Sequence, residues 1–525
     1  MGNVLPTSPV NPISILLALL PILVVLVLLV SMRMAADTAG LVGLAVAVLI
    51  AWLYFSTPLP ILFRAALSGV VASLPITIMV LTSLLQIFIM VSTGALGRIV
   101  VLIKTIAPRD QVIQIMIVNV GFGTLLAAMG ATPVSILPPI MLALGYSSFI
   151  AIALPALGYD ALCTYALLGV PVVVFAGVVD LPVNEVGGYF ARFMPIISTC
   201  IALGMLWMVG KWALVWNGLI PALLSGLTAG AIAIGMNAIR LIPLTGVAAG
   251  LGVILVMLLF LLIRRRPLRE RGVLSEADRA VEKRMPLWMA ASPWIILTVF
   301  AVLVNLPSLP FYALTFQTLA MPVEIIPGAP EKVRLFWQAY FWILLSTLLA
   351  LPMLRPTRRQ LGDSLQKWIT RAPRPMLSSA IFFAIAYIMN HSGKGLDWTL
   401  VDPARNMVSV LAQASSTAFG RAYPLIAPYL GLLAGFVSGS EASAIAMLTR
   451  LHLTTAEQIG AIGLLVAAAS GIGGGLASVI SPAKLQNAAA AIDRIGEEAG
   501  VLRVTFVISL AITAVCAVLA LAWAF

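Results

Sequence analysis

The stretch Gly435-Phe-Val-Ser-Gly-Ser-Glu-Ala-Ser-Ala444 decides how this chain is read. It gathers small residues, hydroxyls and one carboxylate, Glu441, inside the apolar run 424–449. At bilayer depth a polar interruption is costly and persists only where it faces protein or a water-filled cavity. If the run is membrane span, Ser438-Gly439-Ser440-Glu441 is a candidate substrate or ion site.

The composition makes it span. Of the 525 residues 61% are hydrophobic and 10% charged, with a mean hydropathy of +1.09. Soluble domains carry roughly 25% charged residues. A span needs about 20 apolar residues. The candidates are 13–31, 38–55, 68–92, 111–128, 131–156, 160–179, 190–210, 213–235, 241–263, 286–304, 335–353, 376–391, 424–449, 459–480 and 502–524. Those around 120–145 and 424–449 carry Gly and Pro breaks that suit re-entrant hairpins, so about 12 to 14 crossings are expected. Ile13–Val30 lacks a basic leader and a clean cleavage site, and reads as a retained first helix. The expected fold is an all-α polytopic membrane protein, multi-pass in the plasma membrane, with the lipid bilayer as its surroundings.

The net charge of +12 does not point to nucleic acid. Fourteen of the 31 Lys and Arg lie in 264–284 and 355–374. That is the positive-inside pattern and puts both loops in the cytoplasm. Residues 264–284, with a short exposed helix expected, divide an N-terminal half, 1–263, from a C-terminal half, 285–525. The proline-rich stretch 305–333 then falls outside. Cys163, Cys200 and Cys516 sit singly in apolar runs, and His391 and His452 are the two histidines. No metal site, cofactor site or disulfide framework is expected. Both histidines read as interfacial polar caps.

Each half carries paired interruptions. Gly130-Ala-Thr132-Pro133 is followed by Gly169-Val-Pro171, and Ser438-Gly-Ser440-Glu441 by Ile480-Ser481-Pro482. Breaks at corresponding places in two halves point to the binding site of a secondary transporter. Thr132, Ser440 and Ser481 are each placed to cap the helix that follows them. A capped half-helix ending in mid-membrane presents N–H groups and a positive dipole end to an anion. The bland alternative is a set of kinks repaired by hydroxyls. Glu441 is either a first-turn helix acid or a proton-coupling or cation-coupling group. Burial of Asp160 would disfavour its charged form, which suits a proton carrier, whereas an interfacial turn at 156–160 would not. Lys484 can act as counter-charge to a substrate carboxylate, snorkel to an interface, or pair with Asp160 or Glu441. Gly471-Ile-Gly-Gly-Gly475 lacks the context of a nucleotide-binding loop and instead permits close backbone approach.

At these segments the sequence resembles the lactate permease family of lactate and glycolate carriers, along nearly its whole length. The likeness rests on Leu20–Ile22, Gly121–Gly123 leading to Ala131-Thr-Pro-Val134, Leu168-Gly-Val-Pro171, Ile388-Met-Asn-His-Ser-Gly393, Phe436-Val-Ser-Gly-Ser-Glu441 and Val479-Ile-Ser-Pro-Ala483. The chain departs from the family pattern where Leu125–Gly130 has no acid, where Tyr159-Asp160 replaces an Asn-Thr pair, at Ser470-Gly-Ile472, and at Lys484, a position where Gln is common. The resemblance implies proton-coupled uptake, two inverted structural repeats and elevator-type movement.

Residue reading and resemblance together give a secondary active transporter for a small monocarboxylate (L-lactate, D-lactate or glycolate) by proton symport. Its partners are a small organic anion and the proton. The substrate-binding set is Thr132, Pro133, Val134, Ser438, Gly439, Ser440, Ser443, Ser481 and Lys484, and the coupling pair is Asp160 and Glu441. The rivals are a sodium-coupled or exchange carrier of another organic anion, a channel, for which no filter motif is visible, and a membrane enzyme, for which no catalytic set is visible. The sequence leaves a homo-oligomer open.

Overall fold

The computed structural model describes residues 11–32, 34–106, 110–306, 308–400, 402–494 and 496–525, without the side chains of Val30, Pro482 and Ala483. Among these residues ten helices are long and apolar enough to cross a membrane, and twelve spans result if each of two bent pairs counts as one. The bent pairs are Ser148–Asp160 with Cys163–Val179, and Ser292–Asn305 with Pro310–Thr318. Pro133–Ala143 and Ala339–Leu354 are apolar but shorter. The expected upper figure of 14 is reached only by counting those two short helices. The expected span 131–156 is not one helix, because Gly145, at φ +92°, turns the chain between Pro133–Ala143 and Ser148–Asp160. The run 424–449 is likewise two helices, Tyr423–Ser438 and Glu441–Ile459.

One helix, Leu59–Ser92, measures the molecule from face to face. Near one end Ser68 donates to Glu331, and at the other Ser92 shares a hydrogen bond with Ser364 in the second basic segment. The residues between Ser68 and Ser92 span about 36 Å at the helical rise. That exceeds a hydrocarbon core of about 30 Å. Residues 321–333 and the basic segment therefore lie at opposite faces.

The second basic segment is a helix, Arg358–Arg371, opened by a capping box between Thr357 and Gln360. The first contains the expected short exposed helix, Glu276–Arg284, capped by Ser275 and Asp278. Lys104 reaches Asp278 at 2.9 Å. Burial works against the charge of Asp278, but hydrogen bonds from Lys104 and Ser275 outweigh it and hold the carboxyl below the usual aspartate range. Within the proline-rich stretch the chain forms an antiparallel hairpin, Met321–Ile326 with Ala329–Val333, turning at Gly328 with φ +73°. This hairpin was not expected from the sequence.

Helices from the two halves of the chain pack closely. Leu59–Ser92 runs along Pro373–His391 so closely that a Cβ at Gly69 would stand 2.7 Å from the Phe383 carbonyl oxygen. A tighter seam joins Tyr423–Ser438 to Gly463–Leu476. Added methyl groups at Gly431, Gly435 and Gly473 would meet backbone carbonyl oxygens of Ser470, Gly474 and Pro428 at 1.8, 2.2 and 2.0 Å. Small residues permit such backbone contact inside a membrane. Residues Met116–Phe122 form a π-helical turn, and Gly158 lies against its Asn119 carbonyl.

Candidate functional site

Four breaks in helical backbone build the site. Thr132 precedes the helix Pro133–Ala143 in extended conformation, but its side chain makes no capping hydrogen bond. Ser440 does cap, accepting from the Ser443 N–H at 3.4 Å. Ser481 occupies the cap position before Pro482–Ala490, again without a side-chain bond. One hydroxyl cap of the three expected is therefore made. At the fourth break Leu167, Leu168 and Gly169 all have positive φ, at +52°, +55° and +80°. A left-handed L-residue costs roughly 1–2 kcal/mol, so this local strain is held by the surrounding packing.

The breaks meet within each half and between halves. Gly130 and Gly439 both have positive φ. A Cβ at Gly130 would stand 3.3 Å from Leu167, and one at Gly439 would stand 3.9 Å from Ser481. Each small-residue tip thus faces the second break of its own half. The contacts between halves involve other residues. Thr164, in the turn Cys163–Tyr165, donates its hydroxyl to Glu441 Oε1 at 2.6 Å. Val479 N–H donates to Asp160 Oδ2 at 3.2 Å.

Both carboxylates are deeply enclosed, Asp160 4% and Glu441 3% exposed. Asp160 is the last residue of the helix Ser148–Asp160 and is shielded by the protein on all sides. Each has one oxygen bound and the other, Asp160 Oδ1 or Glu441 Oε2, buried without a hydrogen-bond partner. The Ser443 hydroxyl is in the same state. Gly475 makes room for the glutamate, since a Cβ there would stand 2.5 Å from Glu441 Oε2. Lys484 is the cation of the cluster. Its ammonium donates to Ser478 Oγ at 2.6 Å and stands 4.2 Å from the Tyr159 ring centre. It makes no ion pair within 4.0 Å among the described residues, but its partner Ser478 lies 3.8 Å from Cys163 Sγ, beside the Thr164 that holds Glu441, and precedes the Val479 that holds Asp160.

Asp160, Glu441 and Lys484 thus come together, with Ser440, Ser443 and Ser481 beside them. Ser438 hydrogen-bonds the Ser440 backbone. No hydrogen bond among the described residues joins Thr132, Pro133 or Val134 to this cluster. Thr164 and Ser478 were missed from sequence, although Cys163-Thr164 is a polar pair in an apolar run. His452 is not an interfacial cap. It is fully buried, between the Tyr423 hydroxyl at 2.8 Å and the Ser470 hydroxyl at 2.7 Å.

A buried pair of half-bonded carboxylates can take up and release protons, and a cation beside helix N-termini suits a small anion. A family model described as L-lactate permease matches residues 14–525. The L-lactate permease of Salmonella typhi is 26% identical over 523 residues, covering 93% of this chain and 90% of that protein. The glycolate permease GlcA of Escherichia coli (strain K12) is 25% identical over 539 residues, covering 94% and 92%. The L-lactate permease of Bacillus subtilis (strain 168) is 24% identical over 521 residues, covering 90% and 89%.

Proposed function

This chain belongs to the L-lactate permease family, and on that premise we propose that it carries L-lactate, D-lactate or glycolate together with protons as a secondary active transporter. The family supports the coarser statement that it is a multi-pass membrane permease for monocarboxylates, and not an enzyme. Substrate identity and proton coupling are our own reading.

One observation carries that reading: Glu441 bridges to Thr164 across the two halves while its second oxygen stays buried and unbound. Protonation would fill that oxygen with an O–H, which can then donate. It would also remove the repulsion between Glu441 and an arriving carboxylate. Proton and anion binding would then assist each other, and by linkage the help is reciprocal. The substrate carboxylate is assigned to the space between the helix starts at Thr132–Val134 and Ser440–Glu441, with Ser481 and Lys484 beside it and Ser438, Gly439 and Ser443 shaping the tip. Asp160 serves as the second coupling group. The halves 1–263 and 285–525 are read as inverted repeats.

The test uses purified protein in liposomes holding a pH-sensitive dye, at zero membrane potential. L-lactate or glycolate is added outside, with and without sodium. Acidification inside without sodium, beyond the diffusion of undissociated acid and matched by labelled uptake, supports symport. Uptake that requires sodium at fixed pH would instead favour a sodium-coupled carrier. No uptake of either acid would direct attention to other organic anions.

A further inference from the structure

A groove opens beside the second basic segment, where the helix Arg358–Arg371 passes into the span Pro373–His391. Its volume is about 600 Å³, within the roughly 300–1,000 Å³ of ligand pockets. Thr77 and Leu81 of the helix Leu59–Ser92 form one wall, and Trp368, Met376, Leu377 and Ala380 form the other. The polar groups of Trp368 and Thr77 are already engaged. The Trp368 indole N–H donates to the Leu81 carbonyl at 2.8 Å, and the Thr77 hydroxyl donates to the Ser73 carbonyl at 2.9 Å. These walls therefore offer an occupant hydrocarbon rather than hydrogen bonds.

Arg374 marks the level of the groove. It pairs at 3.8 Å with Asp37, in the first turn of the span Ala36–Leu53. Two spans thus begin at this level, which is the level of lipid headgroups. From there Met376, Leu377 and Ala380 carry the groove along the span, away from the basic helix. The rim is cationic. Lys367 and Arg371 stand one helical turn apart, each next in sequence to a residue of the groove, Trp368 or Ala372. Both are exposed, and neither makes an ion pair among the described residues. The stretch 364–380 contains no acid. An apolar groove with two unpaired cations at its rim complements a molecule with a hydrocarbon tail and a negatively charged head.

We propose that this groove binds an anionic phospholipid, with one acyl chain seated between Leu59–Ser92 and Pro373–His391 and the headgroup on Lys367 and Arg371. Basic pockets between membrane helices take anionic headgroups in this way. A lipid without net charge would fill the groove but leave the two cations unmatched. The site requires nothing of the transport reading.

The test uses full-length protein in mild detergent, stripped of lipid and offered equal amounts of phosphatidylglycerol and phosphatidylcholine with identical acyl chains. Retained lipid is counted by native mass spectrometry. The wild type should retain phosphatidylglycerol in preference. Each basic side chain near an anionic headgroup contributes about fivefold, so Lys367→Gln with Arg371→Gln should cut that preference by roughly tenfold or more. Arg358→Gln with Arg359→Gln removes the same charge from the other end of the same helix and should leave the preference intact. Ala380→Phe fills the groove, keeps every charge, and should expel the lipid. Equal retention of the two lipids by the wild type would overturn the proposal. So would equal losses in the two charge pairs, which would make the effect one of net charge. Retention unchanged by Ala380→Phe would leave a headgroup on the surface with no seated chain, and would also overturn it. A dimer that Ala380→Phe turns into a monomer with its lipid unchanged would give the groove to a second copy of the chain instead.

Discussion

The Thr164 hydroxyl and the Glu441 carboxylate lie 2.6 Å apart although 277 positions separate them. The bond ties a short turn in the first half to the first residue of a helix in the second. A hydrogen bond to a charged group contributes about 1.5–3 kcal/mol. Thr164→Val keeps the shape and removes the donor, so it should slow uptake by roughly ten- to a hundredfold if the bond is formed in the rate-limiting state. Thr164→Ser should retain most activity. Labelled lactate uptake at matched protein levels checks this, and a Thr164→Val variant as active as wild type would remove Thr164 from the mechanism.

Glu441→Gln keeps the volume and cannot titrate. On the proposed proton symport, uptake by the wild type should rise as the outside pH falls. In the variant that dependence should flatten, whether or not the rate at the best pH also drops. A variant with the wild-type pH profile would transfer the coupling role away from Glu441.

Gly475→Ala places a methyl group 2.5 Å from Glu441 Oε2. The carboxylate must move and its bond to Thr164 must stretch. Uptake should fall at least tenfold with little change in protein level. Combined with Glu441→Ala, which removes the obstruction, the glycine substitution should add almost nothing. That non-additivity separates displacement of the carboxylate from general packing damage.

Asp278 predicts a pH effect on stability in the first basic segment. Its folded carboxyl sits below the usual range, held there against burial by Lys104 and Ser275. A depressed acid stabilises the fold above its unfolded value, about 3.9, and the gain is lost as the pH falls through the lower folded value. Asp278→Asn should therefore melt below wild type at pH 7, and the two melting curves should converge toward pH 3. A gap of constant size across that range would assign the effect to shape alone.

Much of the architecture is legible in the sequence because a bilayer demands long apolar runs and penalises every exception. Ser438–Glu441, Gly169–Pro171 and Ser481–Pro482 all proved to be real breaks. The unread features have local causes. Thr164 is visible as a hydroxyl, but its partner lies in the other half, and no spacing rule reaches that far. The left-handed conformation of Leu167 and Leu168 is imposed by packing against the intrinsic preference of leucine. The hairpin 321–333 was hidden by its prolines, which lower strand propensity although they are tolerated at sheet edges. The expected caps at Thr132 and Ser481 failed because a residue in the cap position still needs the right side-chain rotamer to reach the backbone.

The glycine seam between Tyr423–Ser438 and Gly463–Leu476 has a consequence for how this region can change over generations. Where backbone touches backbone there is no side chain to swing aside, so a single methyl group displaces a whole helix. Gly431, Gly435 and Gly473 cannot be exchanged one at a time at low cost. This surface can alter only through coordinated replacement on both helices. The two helices are thereby bound to keep or change their common face as one unit.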